Sequence, residues 1–119
     1  MPTDSLDALN ERLLRFARER DWEQFHSPKN LVMALAGECG ELIEHFQWLN
    51  EAQSTSLPPE KRQAVAQEMA DILIYLIRLS ERLGVDLIAA AYDKIALNEA
   101  RYPAHKVRGD ARRASEYSD

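Results

Sequence analysis

The sequence predicts an all-α protein of four helices, two of which form a central antiparallel hairpin. Apolar residues recur three and four positions apart along most of the 119-residue chain, as they do on one face of an α-helix. Capping residues, prolines and a glycine divide this pattern into four segments. No segment alternates apolar and polar residues over the length of a strand. These observations favour a helical bundle over any fold that contains a sheet.

The first two predicted helices flank a connector that is rich in aromatic residues, residues 21–26. We expect the first helix over about residues 4–20, with Thr3 or Asp4 as its cap. Ser27 and Pro28 begin the second helix as a cap and a first-turn proline, and this helix continues to about residue 50. The residues that it is expected to bury are Leu31, Leu35, Cys39, Leu42, Ile43, Phe46 and Leu49.

The last two predicted helices follow a polar turn over residues 51–56. Pro58 and Pro59 begin the third helix, which ends at Gly84. Asp86 caps the fourth helix, which runs to about residue 101. The expected buried residues are Val65, Met69, Ile72, Leu73, Leu76 and Leu83 in the third helix, and Leu87, Ile88, Ala91 and Ile95 in the fourth.

The chain length predicts one domain over residues 1–103 with one modest core. Residues 104–119 are polar and charged, and we expect them to form a loosely ordered tail.

The apolar stripes of the second and third helices are broader than two flanking helices can cover. This excess predicts a homo-oligomer, and the residues that produce it are Phe46, Leu49, Leu76 and Leu79.

Two pairs of acidic residues are the most informative feature of the sequence. Glu38 and Glu41 are three residues apart, as are Glu68 and Asp71, so each pair lies on one face of its helix. The interval from Glu41 to Glu68 and the interval from Glu38 to Asp71 have the same midpoint. If the second and third helices fold back on each other about the polar turn, all four carboxylates therefore meet at one level of the hairpin.

Four neighbouring carboxylates repel one another unless protons or a cation neutralise them. Mg²⁺ prefers oxygen ligands, so the acidic pairs predict a magnesium site. Without these four residues, 16 acidic residues would face 15 basic ones, and most of the net charge of −5 would disappear. The alternative is a solvated helix face in a helical interaction module without chemistry.

Composition excludes several other classes of protein. A net charge of −5 and a pI near 5.2 argue against binding to a nucleic-acid polymer. No apolar run reaches the length that crosses a bilayer, and the N-terminus lacks a signal-peptide pattern, so we expect no membrane partner. The single cysteine, Cys39, fits a reducing compartment and a cytoplasmic location. We interpret Cys39 as a small core residue.

The acidic motif and its surroundings also resemble a known family. Glu-x-x-Glu followed after a spacer by Glu-x-x-Asp is typical of the MazG-like, all-α nucleoside triphosphate pyrophosphohydrolases, and the branch that acts on dCTP is the most similar. The resemblance extends from about residue 6 to residue 105. The stretches that carry it are residues 20–26, 37–42, 46–48 and 71–76, and Lys94, Asn98 and residues 101–105.

The resemblance implies hydrolysis of a nucleoside triphosphate between its α and β phosphates, with Mg²⁺ as the cofactor and pyrophosphate as a product. The implied substrate is dCTP or a modified dCTP, and another or broader nucleotide specificity is the alternative. The family forms dimers or tetramers in which a neighbouring subunit completes the pocket. Leu13 stands where some relatives carry a histidine near the base.

The resemblance also implies roles for individual residues. Glu38, Glu41, Glu68 and Asp71 would bind the metal and form the catalytic centre, and Glu41 is our candidate for accepting the proton of the attacking water. Tryptophans in a connector and at a helix end are well placed to stack on a base. The candidate substrate-binding residues are Trp22, His26, Trp48, Tyr75, Lys94 and Asn98.

Overall fold

The computed structural model describes residues 5–111, and this part of the chain contains helices and no strand. The described residues up to Val85 form one compact unit, and those from Asp86 onward form a second. The helices are α1 (Leu6–Glu19), α2 (Pro28–Glu44), α3 (Glu51–Ser54), α4 (Pro59–Leu83), α5 (Leu87–Arg101) and α6 (Ala104–Val107), with a 3-10 turn over Glu23–Phe25.

The first two helices begin at serine caps. Ser5 Oγ accepts the N–H of Ala8 at 3.1 Å, so the cap of α1 is Ser5 and not the predicted Thr3 or Asp4. The prediction for α2 is confirmed, because Ser27 Oγ accepts the N–H of Asn30 at 3.2 Å and a proline follows in the first turn. A serine oxygen at this position satisfies an N–H that has no partner within the helix.

Helix α2 is shorter than the sequence predicts, because a capping box begins a new helix after it. Asn50 Oδ1 accepts the N–H of Gln53 at 2.8 Å, and Gln53 Oε1 accepts the N–H of Asn50 at 3.0 Å. This reciprocal pair requires an extended backbone at Asn50, which a continuous helix does not allow. Helix α2 ends at Glu44, and the predicted polar turn contains the short helix α3.

The ends of the remaining helices agree with the prediction. Gly84 ends α4 in the left-handed conformation, with φ of 67°, which a glycine adopts without a steric penalty. Asp86 caps α5 through a hydrogen bond from the N–H of Ala89 at 3.0 Å. The predicted tail begins with the helical turn Ala104–Val107, and its residues 112–119 lie outside the described part of the chain.

The most extensive helix packing is between α2 and α4, which form the predicted central hairpin, and α1 packs against α4. The buried apolar residues are Ala17, Leu31, Val65 and Ile77. Leu31 and Val65 come from the two helices of the hairpin. Their burial stabilises the packing of α2 on α4, since a fully buried leucine or valine contributes about 1.5–3 kcal/mol.

Several residues that the periodicity assigns to the core are exposed. Cys39 is exposed, so its interpretation as a core residue is wrong. Ile43 and Met69 are 61% and 57% exposed, because α2 and α4 cover only part of each other's broad apolar stripes. Ile88 and Ile95 on α5 are each 51% exposed. Within the second unit, one helix and one helical turn offer no further layer on which to bury them.

Two further observations bear on what can approach the chain. A Cβ atom added at Gly37 or at Gly40 would meet nothing within 4 Å, so no part of the described chain approaches these two helical glycines closely.

Within residues 5–111, no helix is both long and apolar enough to cross a bilayer. The longest, α4, is 25 residues long and carries charged side chains along its length.

Candidate active site

Three glutamates from the two helices of the hairpin meet at one point. Glu38 and Glu41 come from neighbouring turns of α2, and Glu68 comes from α4. One carboxylate oxygen from each lies within 4.8 Å of the other two. Asp71, the fourth acid of the sequence motif, lies outside this group. Its negative charge nevertheless acts on both Glu38 and Glu68, as expected for a residue one turn beyond Glu68 on α4.

The close approach of these acids changes their protonation. Burial, hydrogen-bonding contacts with Glu41 and Glu68, and the negative charges of Glu41 and Asp71 together raise the pKa of Glu38 to about 7. Burial and the negative charges of Glu41 and Asp71 also raise the pKa of Glu68. Each carboxylate makes the ionised form of its neighbours less favourable.

Two oxygens of the cluster are buried without a hydrogen-bond partner. Within the described part of the chain, neither Glu38 Oε2 nor Glu68 Oε2 meets a donor. An ionised carboxylate only accepts hydrogen bonds, so these atoms need a proton or a cation. A donor set made only of carboxylate oxygens fits a hard divalent ion such as Mg²⁺, and the exposed Glu41 leaves space for water around it.

A cavity of about 250 Å³ lies on the same face of α4 as the acids. Asp71 is part of its wall, so this residue connects the cavity with the glutamate cluster. Most of the wall is apolar or aromatic, as in sites that bind flat organic groups. The lining residues are Leu13, Phe16, Ala17, Trp22, His26, Asp71, Ile74, Tyr75 and Arg78.

The aromatic side of the cavity depends on how α1 ends. Asp21 has a positive φ of 53°, which turns the chain at the end of the helix. The N–H of Trp22 then donates to the carbonyl of Ala17 at 2.9 Å. The indole ring packs edge-on against Phe16 with ring centroids 5.7 Å apart, and Trp22 remains 44% exposed. The connector therefore places Trp22 against Phe16 in the cavity wall.

Arg78 is a cavity residue that the sequence reasoning missed. Its side chain is only 2% exposed; its Nη1 donates to Glu81 Oε2 at 3.2 Å, and its Nη2 lies 3.4 Å from His26 Nδ1. Burial and the positive charges of Arg78 and Arg82 lower the pKa of His26, which favours the neutral imidazole, and Nδ1 accepts from Arg78 in the tautomer that carries its proton on Nε2. An arginine between apolar neighbours on the inner face of a helix is the signal that could have revealed it.

The structure brings some of the predicted substrate-binding residues together and leaves others apart. Trp22, His26 and Tyr75 line the cavity, next to Asp71. Trp48 follows the end of α2, is 86% exposed and is not part of the cavity wall. Lys94 and Asn98 are exposed residues of α5, in the second unit. The roles of these last three residues in substrate binding stay predictions.

Comparison with known proteins shows the family to which the chain belongs. The model of the MazG-like family matches residues 34–118, and the chain belongs to that family. The curated relatives include dCTP pyrophosphatase 1 of Homo sapiens, 44% identical over 117 residues that cover 97% of this chain and 69% of that protein. The dCTP pyrophosphatase 1 of Mus musculus is 46% identical over 112 residues, which cover 92% of this chain and 66% of that protein.

This chain thus spans about two thirds of the length of the curated relatives. A solved structure also shares its fold. The crystal structure of a pyrophosphatase from Archaeoglobus fulgidus superposes with a TM-score of 0.78 at 34% identity, covering 82% of this chain and 91% of that one. The likeness therefore includes both the helical architecture and a third of the aligned sequence.

Proposed function

We propose that this chain hydrolyses a nucleoside triphosphate between its α and β phosphates, and that its preferred substrate is dCTP or a modified dCTP. One water molecule is consumed, and a nucleoside monophosphate and pyrophosphate are released. The observation that carries the proposal is that a cluster of three glutamates and a cavity lined by aromatic residues follow each other along one face of α4, with Asp71 between Glu68 and the rest of the cavity wall. The names of the curated relatives support dCTP as the substrate.

The acidic cluster suits the phosphate end of such a substrate. Glu38, Glu41, Glu68 and Asp71 would hold Mg²⁺, which when bound supplies positive charge to the phosphate oxygens. The two partnerless oxygens, Glu38 Oε2 and Glu68 Oε2, support this assignment. Glu41 is the exposed member of the cluster, so its carboxylate is the group proposed to accept the proton of the attacking water.

The cavity suits the base end. Trp22 and Tyr75 would stack on the base, a contact worth about 1–3 kcal/mol per base, and the apolar wall would exclude water from it. His26 would support the wall through its contact with Arg78. Lys94 and Asn98 are proposed to contact the phosphates or the sugar.

We propose in addition that the active form is a homo-oligomer. Trp48 is 86% exposed, and Ile88 and Ile95 of α5 are half exposed, as expected for side chains that a neighbouring subunit covers. Trp48 would then complete the pocket of that neighbour. A cytoplasmic location and a role in cleansing the nucleotide pool fit this activity, and both belong to the proposal.

The test is a profile of pyrophosphate release from the eight common nucleoside and deoxynucleoside triphosphates in the presence of Mg²⁺. We expect the highest kcat/KM for dCTP and no release in EDTA. Glu68→Gln should reduce the rate at least about a hundredfold, whereas Glu60→Gln, an exposed residue in the first turn of α4, should leave it unchanged. A folded protein that releases no pyrophosphate from any of the eight contradicts the proposal.

A further inference from the structure

Arg78 is the one charged side chain that is buried in the described part of the chain, at 2% exposure. A buried guanidinium is costly unless acceptors satisfy its donors. It carries five N–H donors in a planar arrangement and cannot lose its charge. The partners of these donors therefore determine what this residue does.

The protein satisfies only part of this guanidinium. Nη1 donates to Glu81 Oε2 at 3.2 Å, and Nη2 lies 3.4 Å from His26 Nδ1, which is a long contact. Within residues 5–111, Nε is buried and has no hydrogen-bond partner. Arg78 also lines the cavity, whose other walls are mainly apolar or aromatic. The guanidinium is thus held by two neighbours, its donors are only partly satisfied, and the residue that carries it is part of the cavity wall.

The position of Arg78 along α4 separates it from the acids. Glu68, Asp71, Tyr75 and Arg78 follow one another at helical intervals on one face. With a rise of about 1.5 Å per residue, Arg78 lies about 15 Å along the helix axis from Glu68 and about 10 Å from Asp71. The phosphates belong beside the acids, so an arginine at the other end of the cavity faces the base.

We propose that Arg78 is the residue of this chain that selects the base, by donating from its guanidinium to the adjacent acceptors N3 and O2 of cytosine. The proposal rests on the proposed function. Cytosine presents these two acceptors side by side. Uracil and thymine carry a hydrogen on N3, which would point at a group that has only donors. Glu81 and His26 hold the guanidinium in place, so little freedom is lost when the base binds.

Discrimination between dCTP and dUTP tests this role, because the two differ only in the base edge that Arg78 would contact. We expect the wild-type protein to favour dCTP in kcat/KM. In Arg78→Met, which keeps an unbranched stem as long as that of arginine up to Nε and removes the donors, the dCTP:dUTP ratio should fall at least about tenfold. The control Arg62→Met, at an exposed position of the same helix, should keep the wild-type ratio.

A second measurement uses the wild-type protein and does not depend on whether the variant folds. The NMR signal of the Arg78 Nε–H should shift when dCMP is added and should stay in place when dUMP is added. A folded Arg78→Met protein with the wild-type ratio, or an Nε–H signal that dCMP leaves unmoved, overturns the role of Arg78. A wild-type protein that cleaves no nucleotide instead refutes the proposed function, so the two failures are distinguishable.

Discussion

Replacing Glu38 with glutamine should have opposite effects on stability in the absence and presence of Mg²⁺. The pKa of Glu38 is raised from 4.5 to about 7 in the folded protein, so ionising this residue is harder in the fold than in the unfolded chain. The free energy of unfolding of the metal-free protein must therefore fall as the pH rises from about 4.5 through about 7. Glutamine has no charge and avoids this loss.

The size of the effect follows from the same values. For a fully buried group, a pKa of about 7 in place of 4.5 would correspond to about 3 kcal/mol. Glu38 is only half-buried and solvent screens its neighbours, so we expect about 1 kcal/mol at about pH 8, or about 4 °C in Tm. Mg²⁺ at a hundred times its Kd adds about 2.7 kcal/mol to the wild-type protein, and the variant should gain less because it lacks one ligand.

Thermal melting in EDTA and in Mg²⁺, at about pH 5 and about pH 8, measures all of these differences. At about pH 8, we expect the order of the two melting temperatures to reverse with the metal: the variant melts higher than the wild type in EDTA and lower than the wild type in Mg²⁺. Glu11→Gln, an exposed position on α1, should follow the wild type throughout. The reasoning is refuted if Mg²⁺ stabilises both proteins equally or leaves both unchanged, and the second outcome favours a helical module without chemistry.

Three further predictions concern the fold, and urea unfolding measures each of them. Leu31→Ala should lower the free energy of unfolding by about 2–5 kcal/mol, because Leu31 is only 1% exposed; a loss below about 1 kcal/mol would contradict its burial. Gly84→Ala should cost about 1–2 kcal/mol because of the positive φ of 67°. Asp86→Ala removes the bond to the N–H of Ala89 and should cost about 1 kcal/mol, most of which Asp86→Asn should restore.

Local interactions explain which helix ends could be predicted. The caps at Ser27 and Asp86 bond to residues three positions later, and Gly84 ends α4 through its own backbone conformation. The end of α2 was predicted wrongly because two local signals compete after Glu44. The apolar period continues toward residue 50, but the capping box of Asn50 begins a new helix and prevails.

The burial of individual residues was predicted less well than the ends of the helices. Helical periodicity tells which face of a helix is apolar, but it does not tell what covers that face. Cys39, Ile43 and Ile95 belong to apolar stripes and are nevertheless exposed. Arg78, for which the sequence analysis made no prediction, is the opposite case: a charged residue usually lies at the surface, yet Arg78 is buried.

By itself, the sequence determined the helical class, most helix ends and the two acidic pairs, because these depend on residues a few positions apart. Only the tertiary structure decided that Glu38, Glu41 and Glu68 form one cluster while Asp71 turns toward the cavity. No local sequence pattern predicts the contact between His26 and Arg78 either, because these residues are 52 positions apart in the chain. Such contacts depend on the packing of α1, α2 and α4, which no single segment specifies.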